Sequence, residues 1–261
     1  MTLALVAGRG DLPAVVVTAL PVLPLVCAYE GVAVTGLAPD LTFRLETLGT
    51  LLQELRARGI TEVCFAGALD RPKLDPARLD ALTLPMVPLF MKALAAGDDG
   101  ALRVVLGIFE SHGFALRAAH EIAPQLLAQA GVHSARQPDA AMRRDAQVAA
   151  HHIHSVSAQD IGQACIVAQG RVTAMEDARG TDAMIAGLGG AQGGILFKGA
   201  KAQQSRMIDL PTVGPDTLEA AHAAGLAAVV VAAGDVLVLH RAACVEMADR
   251  HGLVFWARAS A

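Results

Sequence analysis

Thr2-Leu3-Ala4-Leu5-Val6-Ala7-Gly8-Arg9-Gly10-Asp11-Leu12-Pro13 opens the chain with an apolar run, a glycine turn and a helix start. A short apolar run closed by glycine reads as a strand buried on both faces, the habit of parallel sheets. Asp11 suits the helix N-cap, and Pro13 comes early enough that its missing N–H costs little. Working outward, Pro21 and Pro24 end that helix, and residues 25–29 form a second apolar run. Leu48, Leu51, Leu52 and Leu55 share one face of a helix predicted over residues 45–58, which Gly59 stops. Residues 62–66 form a third strand, ending at Gly67. Strands alternating with helices predict a doubly wound parallel sheet, with ligands taken at the carboxyl ends of the strands. The loops at residues 8–12 and 67–72 should therefore be neighbours.

The next region is less regular. Residues 82–94 are apolar but hold Pro85 and Pro88, so they read either as an irregular buried segment or as an apolar ligand wall. A helix is predicted over 101–112, stopped by Gly113, and a strand over 115–122. Apolar periodicity fades over 131–139, which places a linker at 132–139 between an amino-terminal domain (1–131) and a carboxy-terminal domain (140–261). The second half opens with a helix candidate over 140–156 and then changes rhythm. Two hairpins are predicted, one around Gln169-Gly170 and one pairing 228–231 with 236–240 around Gly234-Asp235. Between and after them come a helix near 180–188, a strand at 195–198, helices at 215–224 and 241–250, and a last strand at 253–257.

At 261 residues and 54% hydrophobic content the chain can bury a large core, but with 3% aromatics that core must be Ala, Val and Leu. A net charge of -4 argues against nucleic acid as a partner. The four cysteines lie apart among apolar neighbours and read as buried reduced thiols of a cytoplasmic protein. No signal peptide is read at the start, and the apolar run at 19–29 is too short and too proline-broken to span a bilayer.

Candidate chemistry concentrates in the second half. Lys198, Lys201 and Arg206 precede Asp209 and Thr212 in an otherwise acidic chain. Cations beside a carboxylate suit a diphosphate: they offset charge on non-bridging oxygens, and the carboxylate holds Mg²⁺ or a water. Thr181 and Asp182, after Gly180, read either as helix capping or as part of a phosphate–metal centre. Asp98 and Asp99 read as helix capping or as oxygen ligands. Gly8 and Gly10 permit a phosphate to approach at a helix start, but Pro13 stands where a dinucleotide fingerprint needs its third glycine. His151, His152 and His154 diverge around a helix and read as a solvated face.

Taken in order, these segments resemble the LpxI-type UDP-2,3-diacylglucosamine diphosphatases of bacterial lipid A biosynthesis. The marks are 7–13, 64–72 (Cys-Phe-Ala-Gly-Ala-Leu-Asp-Arg-Pro), 97–103, 160–163, 176–184 and 206–214 (Arg-Met-Ile-Asp-Leu-Pro-Thr-Val-Gly). The resemblance implies a fold of class α/β, a Rossmann-like parallel-sheet amino-terminal domain and a distinct mixed α/β carboxy-terminal domain, with substrate between them. It implies Mg²⁺-dependent hydrolysis of UDP-2,3-diacylglucosamine to 2,3-diacylglucosamine 1-phosphate (lipid X) and UMP. It places the essential aspartate at Asp209, as metal ligand or as base. Asp182 and Asp99 join Asp209 as expected metal ligands. Gly8, Gly10, Leu12, Asp70, Arg71, Thr181, Lys198, Lys201, Arg206 and Thr212 are the expected substrate contacts. A homodimer and peripheral contact with the cytoplasmic membrane belong to the same expectation. The alternatives are a nicotinamide-dependent oxidoreductase and a non-enzymatic nucleotide or lipid carrier.

Overall fold

The computed structural model describes residues 2–69, 74–95, 98–157, 162–188, 193–201 and 205–259. By contact the chain forms two units, Met1–Pro124 with Ser205–Ile208, and Gln125–Gln204 with Asp209–Ala261. Residues 132–139, read above as a linker, fall within the second unit by this division.

The first unit is built on a five-stranded sheet in the order β3-β2-β1-β4-β5. Its strands are β1 (Leu3–Ala7), β2 (Leu25–Tyr29), β3 (Leu41–Phe43), β4 (Glu62–Ala66) and β5 (Ala115–Arg117), and every pairing is parallel. Both faces are covered, as parallel sheets require. Helix α1 (Leu12–Ala19) and the short α5 (Ala119–Ile122) pack on one face through Val16, Val17 and Ala119. Helices α2 (Leu48–Ala57) and α4 (Asp98–Ser111) cover the other, with Leu48, Leu51, Leu52, Leu55, Ile108 and Phe109 all buried. Each leucine so buried contributes roughly 1.5–3 kcal/mol. The predicted strand over 115–122 is cut short at Arg117. There the Glu121 carboxylate accepts the Ala118 N–H at 2.9 Å, a capping contact that turns the chain into α5. The undecided stretch 82–94 is helical: a short turn at Leu84–Met86 runs into α3 (Val87–Ala95), which tucks Met86 and Phe90 inside.

The second unit holds a six-stranded mixed sheet in the order β6-β13-β11-β9-β7-β8. The strands are β6 (Gly131–Val132), β7 (Ala164–Ala168), β8 (Arg171–Met175), β9 (Ile195–Lys198), β11 (Ala228–Ala232) and β13 (Val254–Arg258). β7 and β8 form the predicted hairpin, with Gln169 and Gly170 both at positive φ (54° and 75°). Helix α6 (Ala140–Val156) covers one face through Met142, Ala146, Ala149 and Ile153. On the other face lie α7 (Gly180–Ala186), α8 (Pro215–Ala223) and α9 (Arg241–His251), contributing Met184, Ile185, Leu218, Ala221 and Cys244. A separate two-stranded parallel pair joins β10 (Thr212–Val213) to β12 (Leu237–Val238).

That last pair corrects the second predicted hairpin. β11 is central, with parallel β9 on one side and parallel β13 on the other, so no edge is left for 236–240. Its unbroken apolar run Ala-Val-Val-Val-Ala is what a strand enclosed on both sides and both faces demands. The turn at Gly234 instead bonds away, its N–H reaching Ala128 O at 2.8 Å. All four cysteines are free and buried, as expected.

Candidate active site

The register of the second sheet brings the chemistry together. Lys198 is the last residue of β9 and lies opposite Ala164 of β7. The N–H of Glu176, just past β8, bonds Ala164 O at 2.9 Å. Glu176 and Lys198 therefore stand at one level, two strand spacings apart, about 9.6 Å between backbones. Residues two apart along a strand share a face. Leu196 and Ala174, two residues before Lys198 and Glu176, both pack in the core beneath α7. Both charged side chains thus point to the side that α7 covers, and Thr181 of α7 fills the space between them.

The contacts are short and directional. Lys198 Nζ donates to Thr181 Oγ1 at 2.9 Å, and Thr181 Oγ1 donates to Glu176 Oε1 at 2.5 Å. Glu176 Oε2 accepts the Gln163 N–H at 2.7 Å. All three side chains are buried, Lys198 at 8%, Thr181 at 8% and Glu176 at 6% exposure. The ammonium of Lys198 is held below the ordinary lysine pKa, by burial first, against the opposing pull of the Glu176, Asp182 and Asp209 carboxylates. A half-buried Asp209 and an exposed Asp182 thus lie within electrostatic range of one buried cation. Thr212 sits in β10 with its hydroxyl donating to Leu210 O at 3.3 Å, and Lys201 is half-buried beyond β9.

So of the expected residues Thr181 and Lys198 are in contact in the second unit, and Asp182 and Asp209 lie within electrostatic range of Lys198. Glu176, which opens the 176–184 segment but was not among the expected site residues, joins them. Among the described residues no group of three or more His, Cys, Asp or Glu is placed to hold a metal. The donor set still fits Mg²⁺. That ion takes hard oxygens, and commonly only one or two carboxylates, leaving other positions to water and substrate phosphate. Asp182 and Asp209, both within electrostatic range of Lys198, are carboxylates that the sequence reading assigns to the ion. The Asp99 side chain, Asp70 and Arg71 lie outside the described residues.

The remaining expected contacts lie in the first unit. The strand order reverses between β1 and β4, and the loops after these two strands cross there. Gly8 N–H bonds Ala66 O at 2.8 Å, Arg9 N–H bonds Ala68 O at 2.8 Å, and Ala68 N–H returns to Arg9 O at 3.0 Å. A Cβ on Gly8 would lie 2.5 Å from Ala68 O and 2.7 Å from Gly67 C, so only glycine allows the crossing. The Gly8 amide is thereby used within the fold. Gly10 is exposed at φ 86°, and Leu12 is half-buried at the start of α1. Arg206 is exposed, near enough to His120 to help burial lower that imidazole's pKa.

Comparison with known proteins gives one answer along the chain. The profile described as the LpxI N-terminal domain matches residues 2–126, and that of the LpxI C-terminal domain matches residues 129–256. The UDP-2,3-diacylglucosamine pyrophosphatase LpxI of Caulobacter vibrioides is 35% identical over 225 residues, covering 82% of this chain and 80% of that protein.

Proposed function

The chain belongs to the LpxI family, and from that premise we propose that it hydrolyses the diphosphate of UDP-2,3-diacylglucosamine. The products are UMP and 2,3-diacylglucosamine 1-phosphate, a step of lipid A biosynthesis. The observation that carries this reading is the buried ammonium of Lys198 among the carboxylates of Glu176, Asp182 and Asp209. A protein buries an ammonium at a cost, and a diphosphate is a ligand that makes use of it.

The chemistry asks for little covalent help. A water oxygen bonds to one phosphorus, the bridging P–O bond breaks, and the water's proton leaves for a base. Charge on the non-bridging oxygens must be offset as this happens. Lys198 supplies a fixed positive charge, and Lys201 and Arg206 are further cations assigned to the phosphates. Asp209 is the catalytic carboxylate, as a holder of Mg²⁺ or as the base that receives the water's proton. Mg²⁺, when bound through Asp182 and Asp209, supplies Lewis-acid charge neutralisation. Asp209→Asn keeps the side chain's shape and removes its charge. UMP release should fall at least about 10³-fold while substrate binding persists. Turnover in the Asn variant close to wild type would remove Asp209 from the reaction.

The substrate carries two acyl chains, so peripheral contact with the cytoplasmic membrane completes the reading. Leu82, Leu84, Leu89, Met91 and Leu94 are all exposed at 41–59% on and beside α3. No helix among the described residues is long and apolar enough to cross a membrane. Exposed apolar side chains of this kind suit a shallow seat at the bilayer surface.

A further inference from the structure

We propose that Glu176 is a positioning residue for the reaction, and that Thr181 is the link through which it fixes Lys198, rather than a contact to the substrate. The proposal rests on the diphosphate reading above and adds two roles to it.

The direction of each hydrogen bond follows from the groups. A lysine ammonium only donates, and an ionised carboxylate only accepts. Thr181 has one hydroxyl proton, so that proton goes to Glu176 Oε1 at 2.5 Å, and a lone pair receives Lys198 Nζ at 2.9 Å. With its proton given to a buried carboxylate, Thr181 has none to offer a phosphate oxygen.

Glu176 is itself fixed at both ends of its carboxylate. Oε2 takes the Gln163 N–H at 2.7 Å while Oε1 takes Thr181. The chain also closes tightly around it. A Cβ on Gly162 would lie 2.4 Å from Glu176 O and 3.0 Å from Glu176 Cβ. The consequence runs along the chain of bonds: Gln163 fixes Glu176, Glu176 fixes the Thr181 hydroxyl, and Thr181 holds one of the three N–H bonds of Lys198. A lysine stem has four rotatable carbons. Without this tether the ammonium loses the hydrogen bond that sets its direction toward a phosphate oxygen.

The two-oxygen requirement makes the test specific. An amide has one oxygen, so in Glu176→Gln an NH₂ faces either the Gln163 N–H or the Thr181 hydroxyl. Full-length Glu176→Gln, Thr181→Val and Thr181→Ser are compared with wild type by UMP release from UDP-2,3-diacylglucosamine with Mg²⁺. Glu176→Gln and Thr181→Val should each lose roughly 10- to 100-fold in kcat with KM changed less than about threefold. Thr181→Ser, which keeps the hydroxyl, should stay within about threefold of wild type. The Glu176→Gln/Thr181→Val double variant should be no worse than the poorer single variant, because both break one chain. A second readout needs no turnover: the rate at which acetic anhydride labels Lys198, followed by peptide mass spectrometry. It should rise several-fold in Glu176→Gln and Thr181→Val and stay unchanged in Thr181→Ser. Equal labelling in all four proteins overturns the proposal, as does full activity in Thr181→Val. A wild-type protein that releases no UMP yet shows the labelling pattern overturns the diphosphatase reading and leaves the positioning standing.

Discussion

Replacing Lys198 by Met separates what this residue does for the fold from what it does for the reaction. Methionine keeps most of the volume in a site where Lys198 is 8% exposed, so no large cavity opens. The charge itself is a net cost. Burial holds the ammonium below its ordinary pKa even with three carboxylates in range, and each tenfold displacement of that proton equilibrium is about 1.4 kcal/mol. Against that gain stands the lost bond to Thr181, about 0.5–1.5 kcal/mol net. The two terms oppose each other, so stability should stay within about 2 kcal/mol of wild type. Each kcal/mol is about 2–4 °C in Tm for a chain of this size. Activity should behave otherwise. Loss of one preorganised charge that offsets developing oxyanion charge costs about 10²–10³ in kcat. The assays are urea unfolding and UMP release on the same preparation. The pH dependence gives an internal check. With the folded pKa lowered, the cost of the charge is fully present below it and is relieved as pH rises from there toward 10.5. Wild type should therefore gain stability relative to Lys198→Met through that window. A loss of about 3–5 kcal/mol in the variant would mark Lys198 as half of a structural ion pair and refute the reasoning. Unimpaired turnover would refute it from the other side.

Three further outcomes follow from features elsewhere in the molecule. Gly8→Ala should destabilise the first unit by about 1–3 kcal/mol, read as an earlier thermal transition, because the new Cβ would sit 2.5 Å from Ala68 O. Burial pushes Cys27, Cys64 and Cys165 up to about 12 and Cys244 to about 11, from 9.0, so their contribution is intact below 9.0 and is lost as pH rises through the folded values. Each thiol should cost about 1.4 kcal/mol between pH 8 and 10, and Cys165→Ala should shrink that loss in urea titrations by the same amount. Leu89→Glu with Met91→Glu, both at exposed positions of α3, should cut sedimentation with anionic vesicles about tenfold or more and leave the melting temperature within about 2 °C.

Much of this was legible because periodicity and punctuation agree in the first unit. The apolar runs ending at Ala7, Tyr29 and Ala66 are strands, and the leucine face of α2 is buried as its spacing requires. Helix α6 is also found at the bounds its pattern predicted. The failures have one cause in common. Gly234-Asp235 carries the dipeptide of a hairpin turn, but β11 had both edges occupied by strands far away in sequence, and local chemistry cannot report that. At residue 118 a side chain three positions ahead outbid the strand tendency of 115–122. Lys198, Asp182 and Asp209 stood out by charge in an apolar context. Glu176 did not, because its importance lies in what it accepts from Gln163 and Thr181, and that depends on strand register and the placement of α7.

The crossing of the two loops after β1 and β4 has a meaning for anyone searching genomes by pattern. A Gly-x-Gly after a first strand advertises free backbone donors at a sheet's switch point. Here Gly8 is glycine so that another loop can lie on it, and the amides of Gly8 and Arg9 are satisfied by Ala66 and Ala68. The motif is a lock between two segments of the same chain. A nucleotide phosphate that sought those two donors would first have to part a small antiparallel bridge that helps close the first unit.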